Sequence, residues 1–274
     1  MNKIKIIISY LLGIVLSISL FTLAMLFIVK NTVSNKSFMF RLMDENNYYT
    51  SIYNSINEDI SDYMMSSGLE SEVMDGVIDK NTVHSDIVNY INSFYEGKKY
   101  DVDTSKIHTT LRSNIDKYLK ELNLGIDNTN ELDLFINDIE KIYKDEVSFY
   151  NTIDRLSSYI VKANNLINKV LIINIIVVAI LLILIIVLRS INIGSSILSG
   201  GLILFLVKLF IYERIDTQNI LIVSDYFSLI IRSMFKYISN YMISISIVLI
   251  CIGIILSLFK ITKKNDWKKA LKLV

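Results

Sequence analysis

Apolar residues follow two rhythms along this chain. In four stretches they run almost unbroken: residues 6–29, 170–188, 191–212 and 237–259. Between the first and second stretches they recur instead at every third or fourth position, separated by polar and charged residues. The purest run, VLIINIIVVAILLILIIVL, has Asn174 as its only polar residue. As a helix it would be about 28 Å long, close to the thickness of a bilayer's hydrocarbon core. Each Leu or Ile favours insertion by roughly 0.3–0.6 kcal/mol, so one Asn does not reverse the preference. The pattern predicts four transmembrane helices, with the lipid bilayer as the chain's first partner.

The first run follows a short basic head, MNKIK. It is too long for the core of a secretory signal, and FIVKNTVSNKS offers no small-x-small cleavage site, so it reads as an uncleaved span. Ser9, Gly13 and Ser17 recur at four-residue spacing and form one strip where a second helix can approach closely. The third run contains GSSILSGG, in which Ser195 and Ser199, and Ser196 and Gly200, are small pairs four apart. Lys208 is the one charge in these runs; a turn from the end, it can snorkel to the interface.

The intervening region, 31–165, has helical periodicity. Tyr49, Ile52, Tyr53, Ile56, Ile60 and Tyr63 mark a buried stripe, ended by Gly68. A short helix is expected over 70–79. The next carries Val83, Ile87, Val88, Ile91 and Tyr95, with Thr82 as N-cap and Gly97 as its stop. Another, capped by Asp103 or Thr104, shows Ile107, Leu111, Ile115, Tyr118, Leu119 and Leu122 and ends near Gly125. A last pattern starts at Asn130 and continues through Val147, Ile153 and Ile160 into the second span. About five helices result. The chain therefore reads as an all-α integral membrane protein with an all-helical soluble domain inserted between spans 1 and 2.

The divisions are 1–30, tail and first span; 31–165, the helical domain; 166–189 and 190–212, the second and third spans; 213–236, a short outer loop and amphipathic helix; 237–259, the fourth span; and 260–274, a basic tail. The connection between spans 2 and 3 is short enough to make them an antiparallel hairpin. In the tail, Trp267, Leu271 and Val274 share one helical face, and Lys264, Lys268 and Lys272 share another. With Lys263 they suit a helix on an anionic leaflet. Six lysines in the tail, with Lys3 and Lys5, place both ends in the cytoplasm and 31–165 outside it, in a cell membrane protein.

Composition sharpens this picture. There is no proline and there are only nine glycines, so long uninterrupted helices are expected. The single cysteine, Cys251, lies within a span, which excludes a disulfide scaffold. Region 31–165 holds 13 Lys and Arg against 23 Asp and Glu, a net of −10, whereas the remainder is +11. An acidic domain lacks the cationic face that nucleic acid requires.

Candidate chemistry is sparse. Asp101, Asp103 and His108 lie close in sequence, but Asp103 more simply caps a helix. Loops starting at Asp101 and Asp127 lack both the turn glycine and the final Glu of a calcium-binding EF-hand. No GxGxxG, P-loop, GxSxG or HExxH occurs, so no catalytic, cofactor or metal residue is assigned. Eleven of the sixteen tyrosines fall in 31–165. Tyr48, Tyr49 and Tyr53, and Tyr90, Phe94, Tyr95 and Tyr100, could stack on glycans or peptides, but Tyr49, Tyr53, Tyr95 and Tyr118 fit the buried stripes, which favours a core role. Without a mid-span ionisable group or a proline break, transport through these spans is disfavoured; lining a pore would take a homo-oligomer.

One span, a large outer region and three further spans resemble, in layout alone, the FtsX and MacB class of permeases. That resemblance implies a transport-linked role, but the outer region here reads all-α, and 189–192 is too short for an ATPase-coupling helix. A helical region between two spans also resembles chemoreceptor sensor modules, although another span follows in place of a signalling domain. The expected function is non-enzymatic: presentation of an acidic helical domain to an envelope or extracellular partner. The alternatives are an accessory subunit of a membrane transport complex and an extracytoplasmic sensor.

Overall fold

The computed structural model describes residues 3–123, 129–149, 154–188, 193–212 and 225–270. Among these residues the chain is all-helical, without a strand. The helices are α1 (Lys3–Asn31), α2 (Lys36–Glu45), α3 (Tyr48–Ser66), α4 (Lys80–Glu96), α5 (Ser105–Glu121), α6 (Thr129–Val147), α7 (Asp154–Leu188), α8 (Ile193–Tyr212) and α9 (Asp225–Ala270), with a 3₁₀ turn at Ser71–Met74. Four of them, α1, α7, α8 and α9, are long and apolar enough to cross a membrane.

Packing divides the chain into two units. The first comprises Met1–Asn35, Asn164–Ile220 and Arg232–Val274; the second comprises Lys36–Ala163 and Leu221–Ile231. The start of α9, to Ile231, groups with the helical region. α9 is also a single 46-residue helix, so the tail's helical part, to Ala270, continues it without a break.

In the first unit, α1 uses two clusters. Leu16 packs with Val178, Leu181 and Ile185 of α7, joined by Leu12, Leu20 and Leu23. About two turns further on, Ala24 and Ile28 pack with Leu204 of α8 and Met242 of α9. Glycine sets how closely α8 meets α9. A Cβ added at Gly253 would lie 2.5 Å from Leu198 N, and one added at Gly194 would lie 2.6 Å from the Gly253 carbonyl oxygen. Only hydrogen fits at these positions.

The second unit is a bundle of short helices. The α3 stripe runs through Tyr48, Ile52, Ile56, Ile60 and Met64, one residue away from the expected Tyr49 and Tyr63 at its ends. Val83, Ile87 and Ile91 of α4, Leu111 and Ile115 of α5, and Ile136 and Ile139 of α6 complete the core. Gly68, at φ 79, ends α3. Helix α2 was not anticipated; it buries Phe38, Leu42 and Met43.

Four local expectations need correction. Region 70–79 forms the 3₁₀ turn and a bend at Gly76 (φ 70) rather than a helix, because too few residues precede the glycine for a nucleus. Thr82 does not cap α4: Asp79 does, its carboxylate accepting the Thr82 amide and hydroxyl at 3.0 Å each. Those bonds, the hydroxyl's first, hold the Asp79 carboxyl below its usual pKa. Helix α5 stops at Glu121 rather than at Gly125, which lies outside the described residues, as do the connections at 189–192 and 213–219. The pattern from Asn130 is not one helix either; α6 ends at Val147 and Phe149 is left-handed, at φ 53.

Replacing Gly253 with valine is expected to wedge α8 from α9 and cost about 1–3 kcal/mol, as overpacking does in a close-packed core. The loss is read as an earlier thermal transition of the helical circular dichroism signal in detergent. Ser199→Ala, on the exposed side of α8, should leave that transition where it is.

Candidate functional site

The residues singled out from the sequence fall into two places within the first unit. Ser17 donates its hydroxyl at 2.9 Å to the Ser196 carbonyl on α8 and to the Gly13 carbonyl one turn back. Gly200 faces the same turn, and a Cβ there would lie 3.1 Å from the Ser17 carbonyl oxygen. Ser9 is buried on the same strip. Ser195 and Ser199 point elsewhere: they are exposed and line a groove of about 420 Å³ with Tyr10, Gly13 and Ile14. Lys263, Lys264, Trp267 and Lys268 fall on the helical backbone of α9, but their side chains lie outside the described residues, as does all of Lys272.

In the second unit the polar side chains join helices to one another. Asp86 of α4, only 8% exposed, accepts a hydrogen bond from Tyr143 of α6 at 2.6 Å and another from Tyr100 at 3.0 Å. Burial, and then the Asp86 carboxylate, push the Tyr143 phenol well above its usual pKa. On α5, His108 donates from Nδ1 to Glu140 Oε1 at 2.7 Å, and Thr104 donates to Glu140 Oε2 at 2.8 Å. One turn further on, Arg112 pairs with Asp133. His108 and Arg112 border an open groove of about 500 Å³ with Ser113, Asp116 and Lys117. Asp116 Oδ1 is buried there without a hydrogen-bond partner.

The Asp101–Asp103–His108 grouping does not assemble. Asp103 accepts the Ser105 amide at 3.0 Å, and His108 turns towards Glu140. Among the described residues, no three His, Cys, Asp or Glu side chains converge as a metal site would require. His84 instead lies against the Tyr49 ring, with centroids 4.3 Å apart.

An aromatic nest is the feature that periodicity missed. Phe149, 3% exposed, stacks on Tyr48 of α3 at 5.8 Å and meets Tyr90 of α4 at 5.6 Å and Phe227 of α9 at 4.9 Å. A left-handed backbone at a non-glycine residue costs roughly 1–2 kcal/mol. The adjacent Ser148 hydroxyl is buried without a partner, at about 1–3 kcal/mol. Burying the Phe149 ring returns about 1.5–3 kcal/mol, and each aromatic pair adds about 0.5–1.5. Glu146 is buried close by, and its charge adds to burial in raising the Tyr48 pKa. The available sequence signals were an Asp at 86 on the face of Val83, Ile87 and Tyr90, and an aromatic at 227 within an amphipathic stretch.

Several phenols here hold their protons more tightly folded than unfolded: Tyr49 and Tyr95, each raised to about 12 chiefly by burial, with Tyr48 and Tyr143. Their contribution is complete below the unfolded value of 10.0 and is lost as pH rises above it. Guanidinium unfolding of the detergent-solubilised chain should therefore give level stability to about pH 9 and a decline above about pH 10. Tyr143→Phe is expected to cost about 1.5–3 kcal/mol at neutral pH and to flatten that alkaline decline. No family model, no curated protein and no solved structure matches this chain.

Proposed function

We propose that this chain is a multi-pass protein of a cell membrane that presents its acidic helical region outside the cytoplasm to an envelope or extracellular partner, without catalysing a reaction. The observation that carries the reading is the apolar exterior of the first unit. On α7, Ile172, Ile176, Ile180 and Ile183 are all more than half exposed, and α1 and α9 are similarly clothed. An outward face of this kind is stable against lipid and unstable in water. The orientation rests on the lysines of 260–274, which favour the cytoplasmic side. The non-catalytic reading rests on how the polar groups are used, since His108, Arg112 and Asp86 are each engaged in tying helices together.

A second reading, an accessory subunit of a membrane transport complex, draws support from the groove beside Ser195 and Ser199. Small residues at membrane depth let another protein's helix approach closely, and this strip is exposed while Ser196 and Gly200 face α1.

Cysteines placed singly at Lys120 and Lys264 in a Cys251→Ser background test the arrangement. A membrane-impermeant maleimide applied to intact cells should label position 120 and reach position 264 only after permeabilisation; the opposite pattern would overturn the orientation. Metal-dependent hydrolysis by the purified chain would overturn the non-catalytic reading. Recovery with an ATPase in mild detergent would favour the second reading over the first.

A further inference from the structure

Helix α7 changes character part-way along its length. From Val170 onwards it is apolar apart from Asn174, so nearly every lengthwise stripe of that part suits lipid. Residues 158–169 differ, because Lys162, Asn164, Asn165, Asn168 and Lys169 make most stripes polar there. Yet in this polar part Tyr159 is 66% exposed and Leu166 is 61% exposed, with the exposed Ala163 between them. These three share one stripe, since they follow one another at steps of four and three residues. The same steps continue through Val170, Ile173, Val177, Ile180, Leu184 and Val187 without meeting a polar residue. All but the half-buried Val170 are exposed. The stripe that packs α7 against Leu16 of α1 is a neighbouring one, Val178, Leu181 and Ile185.

Lipid accounts for this exposed seam only in part. With hydrocarbon beginning at Val170, Leu166 lies about 6 Å and Tyr159 about 16 Å outside it along the helix axis. A headgroup layer about 5–7 Å deep reaches the first and not the second. Steps of three and four residues average 3.5, the repeat at which two helices wind around each other left-handedly. A helix that faces lipid alone has no use for that repeat beyond the edge of the bilayer.

We propose that the seam from Tyr159 to Val187 is where α7 meets α7 of a second copy of this chain. The proposal rests on the membrane reading, but not on which way the chain faces. Two copies in one bilayer share one orientation, so their α7 helices run parallel and identical residues meet across a two-fold axis. Leu166, Ile173 and Ile180 then oppose themselves at one core position of the repeat, and Ala163, Val170 and Val177 do so at the other. Lys162 and Lys169 flank the seam and come over positions five residues on in the other copy, Ile167 and Asn174. No lysine opposes a lysine.

Cysteine cross-linking of the whole chain in its membrane tests the seam. Single cysteines are placed in a Cys251→Ser background and oxidised with copper phenanthroline. Positions 166, 173 and 180 lie on the seam, whereas 165, 168 and 175 are exposed on other faces of α7. A linked species of twice the chain's mass is expected at the seam positions, at least about tenfold above the others, since a disulfide needs Cα atoms within about 7 Å. Leu166→Glu, read through a cysteine at 173, should reduce that species by about tenfold or more, because it removes an apolar contact and opposes two like charges. Asn165→Glu should leave it unchanged. If Leu166→Glu fails to reach the membrane, Leu166→Ala takes its place, with a loss of about threefold. Equal cross-linking at all six positions would overturn the seam, since random collision gives that result. So would its absence in a chain that resists carbonate extraction, or linkage at the seam to a protein of another mass. Release of the chain by carbonate would overturn the membrane reading, and the seam with it.

Discussion

The close approach of α8 to its two neighbours is the contact on which the apolar unit depends. Gly194 and Gly201 of α8 and Gly253 of α9 leave no room for a Cβ, and Ser17 of α1 donates its hydroxyl to a carbonyl of α8. In the proposed bilayer setting, lipid tails match leucine side chains, so burial alone gives helices little reason to associate. Dispersion between backbones in contact, and hydrogen bonds to carbonyls, take over that role. This explains why the serines and glycines of α8 divide between two neighbours: Ser196 and Gly200 serve α1, and Gly194 and Gly201 serve α9.

The other unit solves a different problem. Its helices are short, 10 to 19 residues from α2 to α6, and such lengths are marginal alone in water. Their stability comes from burying the stripes, and polar side chains set how the stripes meet. Asp86 fastens α4 to α6 through the Tyr143 hydroxyl, and Glu140 fastens α6 to α5 through His108. A carboxylate in such a place is strongly bound once its donors arrive and unfavourable without them, so it favours one mutual arrangement of the helices over others.

Most of this architecture was legible in residue spacing. Four membrane-length helices, the stripe through Ile52, Ile56 and Ile60, and the stop at Gly97 all follow from local rules. Misreadings arose where a choice depended on geometry one residue wide or on distant contacts. Asp79 and Thr82 are both good caps, and only the position of the first helical turn separates them. Ser148, Asn151 and Thr152 around Phe149 are poor helix-interior residues, a signal that the apolar spacing alone passes over, and the rings that receive Phe149 come from three other helices. The small-residue strips could be seen in the sequence, but how each would pack could not, since Ser195 and Ser196 are adjacent and only Ser196 is buried.

One consequence concerns the order in which the chain is made. Phe227 and Ile230 are buried in the same unit as residues 36–163, yet they are synthesised after the two apolar helices α7 and α8. A ribosome adding about 5–20 residues per second therefore delivers the last pieces of that core several seconds after its bulk. Until they arrive, Phe149 has two ring partners rather than three, and the surface that Phe227 later covers stays open. Completion of the helical region is in this way tied to emergence of the final helix, so a chain truncated before residue 225 carries an unfinished interior.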